Sequence, residues 1–278
     1  MLEVVKTNKL FIAGEFVRSE SGKVFEVKNI RKLRSSYPKT SKKDLRNAVE
    51  ATVSAQKSWT SKSSYNRGQI LYRMAEMLTG RYAELESIFK ENSSLTKLKR
   101  TKEINLAIDS FIYYAGFSDK CQQLLSNINP VASSHLNYSI VSPIGPVAFI
   151  TSQELDFKRV CQIICSTLVA GNTITVLLQK KSAFILSILS EVFATSDLPK
   201  GVVNLLTCEQ NDLLEHVCTH REIKAVIFDG AKTSDFKIAQ KLSADNLKRI
   251  IRPDPDAQSL TMIAQTIELK TVWQTIGV

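Results

Sequence analysis

Apolar residues recur at helical spacing through much of the first half of the chain. Leu45, Ala48 and Val49 fall on one face of a predicted helix, which opens with Ser41 as N-cap and Asp44 three residues later. Two further helices are predicted, over QILYRMAEMLTGRYAELESIFKEN and over the segment that carries Ile104, Ala107 and Phe111. Gly80 either interrupts the first of these or bends it. Residues 9–28 are rich in Phe, Val and Ile, contain two turn signals, and are predicted as two strands.

From residue 138 the pattern changes to short apolar strands that alternate with helices. The predicted strands are VAFIT (147–151), TITVLL (173–178), GVVNLLT and KAVIFDG, with a helix after each of them. Such alternation over short loops predicts a parallel sheet covered on both faces, a doubly wound, Rossmann-like α/β arrangement. Ligands of these sheets bind outside the carboxyl ends of the strands. The tips of interest are therefore Thr151–Asp156, Leu177–Lys181, Thr207–Asn211 and Asp229–Ser234.

Composition adds little that is specific to a function. With 278 residues and 44% hydrophobic positions, the chain can form one large domain or two small ones. The net charge is +10, which raises the question of an anionic partner. The basic residues cluster in segments 31–46, 97–102 and 247–252, and aromatic residues do not interleave with them as they would in a stacking platform. Solvated faces are the preferred interpretation and nucleic acid binding is not expected, although another anionic partner stays open.

The termini and the cysteines point to a reducing compartment. No apolar span approaches membrane length, and MLEVVKTNKLFIAGEF lacks the features of a signal peptide, so a cytoplasmic location is expected. Five cysteines, an odd number, are scattered through predicted helices and strands, which favours reduced and mostly buried thiols.

Seven segments in collinear order resemble the aldehyde dehydrogenase superfamily. LFIAGEFVRSESGKVFEV resembles the opening hairpin of that family, and DLRNAVEATVSAQKSW, RGQILYRMAEML and AIDSFIYYAGFSDK resemble its three leading helices. PIGPVAFIT is similar to its first Rossmann strand, LVAGNTITVLL and LPKGVVNLLT to the next two, and IELKTVW to its last, oligomerisation strand. The resemblance implies the α/β fold already predicted, with an N-terminal hairpin and helices and a C-terminal oligomerisation strand.

The resemblance also implies a domain layout. Residues 1–252 form a coenzyme-type domain, with a helical part over 1–137 and a βαβ part over 138–252, and residues 253–278 form a linker and the oligomerisation strand. In the family a nucleophilic cysteine and a glutamate base lie in a catalytic domain that follows the strand equivalent to VIFDGAKTS. Here NLKRIIRPDPDAQSL leads directly to the final strand, so we expect the catalytic domain to be absent. This layout resembles the non-catalytic second half of family-16 aldehyde dehydrogenases.

At the strand tips the resemblance implies a vestigial crevice. The asparagine that donates to the oxyanion falls on Glu154, and the family's ribose-binding lysine and glutamate fall on Leu177 and Lys180. A carboxylate cannot donate to an oxyanion, and leucine offers the ribose no donor. Lys232 beside a helix start could still attract an anion, although Asp229 and Asp235 would oppose it. No cofactor and no catalytic residue is therefore expected, and residual NAD(P) binding stays open. The vestigial crevice comprises Thr151, Glu154, Leu177, Lys180, Gly230 and Lys232.

Other candidate chemistry is weaker. Cys161 and Cys165 are interpreted as core residues, and Cys208, at a strand end, is the one thiol whose reactivity we would test. His216 and His220 are four residues apart, which fits either a pair of metal ligands or, as we prefer, a solvated or capping role. No third ligand is evident, so no metal is expected.

The leading hypothesis is a non-catalytic pseudoenzyme that assembles with itself or supports a catalytic aldehyde dehydrogenase partner through its C-terminal strand. One alternative is that the chain is a fragment of a two-part NAD(P)-dependent aldehyde dehydrogenase whose active half lies elsewhere. Another is a nucleotide or anion sensor that uses Lys180 and Lys232.

Overall fold

The fold consists of a seven-stranded sheet between helices, with two smaller sheets beside it. The computed structural model describes residues 7–30, 34–154, 156–209, 212–230, 232–253 and 259–276. The strands are β1 (Leu10–Ile12), β2 (Glu15–Val17), β3 (Val24–Lys28), β4 (Arg34–Pro38), β5 (Asn127–Asn129), β6 (His135–Pro143), β7 (Val147–Ile150), β8 (Ile174–Gln179), β9 (Val203–Cys208), β10 (Ala225–Phe228), β11 (Arg249–Ile251) and β12 (Ile267–Thr275).

Helices occupy most of the chain between the strands. They are α1 (Lys42–Ser61), α2 (Ser64–Gly80), α3 (Tyr82–Asn92), α4 (Lys97–Ala115), α5 (Cys121–Leu125), α6 (Phe157–Val169), α7 (Leu186–Ala194), α8 (Leu214–Thr219), α9 (Thr233–Ser243) and α10 (Leu260–Ala264). A 3-10 segment, Lys180–Ile185, leads into α7. Gly80 ends α2, and α3 begins two residues later, so the glycine interrupts the predicted helix.

The large sheet confirms the predicted α/β class. Its strand order is β11-β10-β7-β8-β9-β1-β2, in which β11 to β9 are parallel and the β1–β2 hairpin adds two antiparallel strands at one edge. Residues 9–28 therefore contain three strands rather than the two predicted, since β3 leaves the hairpin and pairs with β4 in a separate sheet. Phe25 on β3 instead stacks on Tyr37 of β4.

The two faces of the large sheet belong to two separate apolar clusters. On β7, Val147 and Phe149 join one cluster with α2, α4 and α6, whereas Ala148 and Ile150 join another with α1, α8 and α9. Side chains alternate between the faces of a strand, so a strand that is apolar at every position must be covered on both sides. Helix α6 covers the first face and is itself almost entirely buried.

The C-terminal strand lies within a third sheet, of order β12-β6-β5. β12 pairs antiparallel with β6 over nine residue pairs, from Ile267 with Pro143 to Thr275 with His135. The predicted terminal strand is thus present, and one of its edges is already paired within the chain. Among the described residues, no helix is both long enough and apolar enough to cross a membrane.

The predicted capping box at the start of α1 is confirmed. Ser41 Oγ accepts from the Asp44 N–H, and the Asp44 carboxylate accepts from the Ser41 N–H at 2.8 Å. The same buried carboxylate accepts from Ser19 Oγ at 2.7 Å and from the Glu20 N–H at 3.1 Å. Asp44 therefore joins α1 to the turn between β2 and β3.

We expect Asp44→Ala to lower the free energy of unfolding by about 2–4 kcal/mol, because it removes an N-cap acceptor and leaves buried donors unpaired. Urea unfolding followed by circular dichroism measures the change. Asp109→Ala, at an exposed position of α4, is the matched control and should change the value by less than about 0.5 kcal/mol. Equal effects of the two substitutions would contradict this role of Asp44.

Candidate functional site

The carboxyl ends of β7, β8, β9 and β10 meet at one edge of the large sheet, because these strands are parallel neighbours. This is where the sequence predicts the vestigial crevice. Thr151, at the tip of β7, is buried, and its Oγ1 accepts from the Gln179 N–H at 2.9 Å. Its own N–H donates to the Leu177 carbonyl at 3.1 Å. Thr151 thus extends the β7–β8 pairing, and its buried hydroxyl oxygen is engaged by the backbone of β8.

Glu154 lies at the surface of the loop after β7. Its side chain is 78% exposed and pairs with Lys181 at 2.7 Å, which brings the tips of β7 and β8 together. Glu154 occupies the position that the resemblance assigns to an oxyanion donor. At this exposure its carboxylate stays well solvated, so the loop presents negative charge where a donor would be needed.

Leu177 does not lie at an open strand tip as predicted. β8 continues two residues further, to Gln179, and Leu177 is 1% exposed within the apolar cluster on the α1, α8 and α9 side. The expectation placed the end of the strand too early, because the apolar run TITVLL does not show that Gln179 also pairs, opposite Cys208. Leu177 is a core residue.

Lys180 belongs to an ion-pair network across the tips of β8 and β9. Its Nζ lies 3.1 Å from Glu209 Oε1, and Lys39 bridges Glu209 at 3.3 Å and Asp212 at 2.7 Å. The hydrogen bond from Lys180 lowers the pKa of Glu209, and the hydrogen bond to Asp212 raises the pKa of Lys39. Lys180 also lies 5.9 Å from the centroid of the Phe25 ring. Lys180 therefore places a cation where the resemblance implies a ribose acceptor. That cation is already paired with Glu209.

Two carboxylates occupy the start of α6, the first crossover helix. Asp156 is the N-cap and accepts from the Arg159 N–H at 2.8 Å. Glu103 reaches across from α4, and its Oε1 accepts from the Lys158 N–H at 2.9 Å. The Phe157 N–H is also bonded to Glu103. Burial raises the pKa of Glu103 above its usual value. In Rossmann-like sheets the donors at this helix start are the ones that attract phosphate.

The sequence analysis missed Glu103 and Arg159. Arg159 is almost fully buried on α6, and its Nε lies 3.8 Å from Asp229 Oδ1 at the tip of β10. Burial raises the pKa of Asp229, although Arg159 opposes the rise. Arg159 could have been found as a site residue because it is a charged residue within the apolar run FKRVCQIICSTLV. The signal for Glu103 is weaker, since it is only the lone acid in KLKRTKEINL.

Gly230, after the tip of β10, is required for the close approach of two loops. It has φ of +60°, and a Cβ at this position would collide with the Ser152 side chain. The tips of β7 and β10 are therefore in contact. Lys232 follows as the exposed N-cap residue of α9 and makes no side-chain cap, and Asp235 lies in the first turn of that helix. Ala231 lies outside the described residues.

All five cysteines are buried, and none of them forms a disulfide bond. Burial raises the pKa of Cys121 to about 11 and of Cys208 to about 12, and it also raises the pKa values of Cys161, Cys165 and Cys218. The core interpretation of Cys161 and Cys165 is confirmed. Cys208, the one thiol whose reactivity we would test from the sequence, is 3% exposed and lies in an apolar cluster of the core at the end of β9.

His216 lies in the last turn of α8, and His220 follows that helix. His220 is the C-cap residue, and its Nδ1 accepts from the Glu222 N–H at 3.3 Å. No group of three potential ligands that could hold a metal ion occurs among the residues that the structure describes.

A comparison with protein families identifies the family of the chain. The model of the aldehyde dehydrogenase family matches residues 16–274. The chain belongs to the aldehyde dehydrogenase family. Among curated proteins it is 25% identical over 246 residues to the D-glyceraldehyde dehydrogenase (NADP(+)) of Thermoplasma acidophilum, covering 87% of this chain and 49% of that protein. It is 26% identical over 250 residues to the putative aldehyde dehydrogenase DhaS of Bacillus subtilis, covering 88% and 50%.

Solved structures show the same fold. The NAD+ complex of an aldehyde dehydrogenase from Bacillus cereus superposes with a TM-score of 0.82 at 23% identity, covering 89% of this chain and 50% of that one. The predicted family is thus confirmed. The chain spans about half the length of these relatives.

We expect the thiols of the folded family member to resist labelling by an aromatic disulfide reagent near neutral pH, since burial keeps them protonated. In denaturant all five should react. Cys208→Ala should lower by one the number of thiols labelled in denaturant. It should leave the labelling rate of the folded protein unchanged. A fast native phase that disappears in Cys208→Ala would show an accessible thiol at the crevice and contradict the assignment.

Proposed function

We propose that this chain is a non-catalytic aldehyde dehydrogenase-like protein that acts through assembly, with another copy of itself or with a catalytic member of the family. The observation that carries the proposal is the burial of all five cysteines. Aldehyde oxidation in this family uses a thiolate nucleophile, and a thiol with a raised pKa inside an apolar core does not supply one.

The loop after β7 supports the same conclusion. An acyl-transfer site needs hydrogen-bond donors aimed at the developing oxyanion. Glu154 stands where the resemblance assigns that donor, and its carboxylate is exposed and paired with Lys181. Negative charge at this place would raise the energy of an oxyanion.

The crevice also fits a dinucleotide poorly. The N–H groups at the start of α6 are engaged by Asp156 and Glu103, so the donors that would receive phosphate are taken by carboxylates, which would repel it. Leu177 is in the core, and Lys180 is held by Glu209. We therefore propose that NAD and NADP do not bind this chain alone.

Assembly is proposed through β12. Its second edge is unpaired among the described residues, and Leu269 and Trp273 are 57% and 61% exposed. These two side chains lie on the same face of the strand, four residues apart. A nine-residue strand with a free edge and large exposed apolar side chains is an effective template for another strand.

Isothermal titration of the purified chain with NAD and NADP tests the coenzyme proposal. We expect no saturable heat at millimolar coenzyme, while an NAD-binding family member in the same buffer gives a normal isotherm. Stoichiometric binding would refute the proposal. A parallel titration with ATP tests the sensor alternative, which predicts binding that is lost in Lys232→Gln.

We expect Leu269→Asp/Trp273→Asp to shift the protein to a smaller species in size-exclusion chromatography with light scattering. Charges on the apolar face of β12 disfavour its burial in an interface. Gln274→Asp, on the opposite face of the strand, is the matched control and should leave the mass unchanged. A chain that is monomeric alone and does not bind a catalytic family member would contradict the assembly proposal.

A second candidate is favoured by the share of the relatives that the chain covers, which is about half. In this case the chain is one part of a two-part NAD(P)-dependent dehydrogenase. Genomic sequence on both sides of the reading frame decides between the two: an adjacent in-frame segment with a cysteine nucleophile favours the two-part enzyme, and its absence favours the assembly protein.

A further inference from the structure

A second cavity lies away from the strand tips, between the start of α2 and the end of α6. It has a volume of about 260 Å3, and its walls include Lys62, Ser64, Arg67, Ser118 and Gln122. Pro143 and Gly171 form part of the opposite side. The cavity faces the end of the parallel sheet opposite to the crevice, since it adjoins Gly171 in the turn that leads into β8.

The charges in this cavity are all of one sign. Every ionisable side chain on its wall, apart from the Cys121 thiol, is a cation, namely Lys62 and Arg67. Arg67 donates through Nη1 to the Lys62 carbonyl at 2.7 Å and through Nη2 to Ser64 Oγ at 3.3 Å. Its Nε is buried and has no acceptor among the described residues.

Arg67, which is half-buried, differs from the buried Arg159 in what balances its charge. Arg159 has the Asp229 carboxylate at 3.8 Å, whereas Arg67 has no carboxylate within 4.0 Å in the described part of the chain. Burial lowers the pKa of Arg67. A cation that is partly removed from water is stabilised by an anion beside it, so the charge at this site favours a bound counter-ion.

The start of α2 adds to the positive potential. α2 has 17 residues, Ser63 is its N-cap, and its first turn contains no acidic residue. The peptide dipoles of a helix place partial positive charge at its N-terminus. At α6 this charge is neutralised by Asp156 and Glu103, and at α2 no such carboxylate is present in the first turn.

Ser118 gives independent evidence that a polar ligand belongs here. It is 3% exposed, lies on the cavity wall, and its Oγ has no hydrogen-bond partner among the described residues. An unpaired buried hydroxyl is costly and in most proteins is satisfied by another group, by water or by a ligand. Ser118 follows α4, so it approaches the cavity from a different element than Arg67 and Ser64 do.

We propose that this cavity binds a small oxoanion of the phosphate type. Arg67 and Lys62 provide the charge, the start of α2 adds its dipole, and Ser64 and Ser118 provide hydroxyls from two sides. Donors that converge from several directions suit a tetrahedral anion with several oxygens better than a planar carboxylate with two. The volume accommodates a free phosphate or the phosphate of a small monoester.

Isothermal titration of the intact chain with inorganic phosphate, in chloride buffer of matched ionic strength, tests the proposal. We expect saturable binding with a stoichiometry of one in the wild type. Lys62→Gln and Ser118→Ala should each weaken it, the former by about tenfold, as expected for the loss of one charge-assisted contact. Arg67 is left unchanged because its bonds also hold the turn before α2.

Lys57→Gln is the matched control, since this exposed lysine of α1 lies outside the cavity wall and carries the same charge. It should bind phosphate as the wild type does. Thermal unfolding curves in the absence of phosphate confirm that each variant is folded. Absence of saturable heat in the wild type, or equal weakening in Lys57→Gln and Lys62→Gln, would overturn the proposal.

A second titration with glycerol 3-phosphate identifies the source of the anion. Tighter binding of the monoester than of phosphate supports a phosphorylated metabolite, and tighter binding of phosphate supports the free ion. Binding of either that is insensitive to Ser118→Ala and Lys62→Gln would place the anion elsewhere and refute this site.

Discussion

The backbone N–H groups at the start of α6 impose the constraint on which the rest of this structure depends. α6 is buried against the central strands along most of its length, and its first N–H groups, which have no partner within the helix, need other acceptors. Here the acceptors are Asp156 from the same loop and Glu103 from α4. The bond from Glu103 also fixes α4 against α6, one of the most extensive helix contacts of the domain. The same two carboxylates thus stabilise the helix start and set the charge at the crevice.

This solution changes what the sheet edge can do. In a nucleotide-binding sheet the donors at a helix start stay open for phosphate. In this chain they are closed by carboxylates, and around them Glu154 pairs with Lys181 while Lys180 pairs with Glu209. These ion pairs are exposed, and each contributes little to stability. Their effect is electrostatic: at this edge of the sheet the acids and lysines of the chain compensate one another.

Compensation of charge also distinguishes the two ends of the sheet. At the strand tips the buried Arg159 has Asp229 beside it, and the acids of the loops balance the lysines. At the other end Arg67 and Lys62 share a cavity without an acid on its wall. A chain with a net charge of +10 has many solvated cations, but a cation that is removed from water needs a counter-charge nearby. The same physical rule accounts for the compensated charges at the crevice and for the anion proposed in the second cavity.

Most of the architecture could be predicted from the sequence because strands and helices have distinct hydrophobic periods. VAFIT, GVVNLLT and KAVIFDG are apolar at consecutive positions, which requires a sheet covered on both faces, and Ser41 with Asp44 marks the start of α1. The element boundaries were less certain. Gln179 extends β8 through pairing with β9, and polar residues in such positions carry no periodic signal.

The sequence by itself determined the fold class, the family resemblance and the core role of Cys161 and Cys165, since these follow from local patterns. Tertiary structure decided the site. Glu103 caps a helix that begins 54 residues later, as its bond to Lys158 across 55 residues shows, and β12 pairs with β6 more than a hundred residues away. Cys208 and Leu177 lie in the core because of the face of the sheet to which each side chain points. The pairing of β8 with β9 decides that face. Contacts of this kind join residues that no short stretch of sequence contains, so they arise only when the chain has folded.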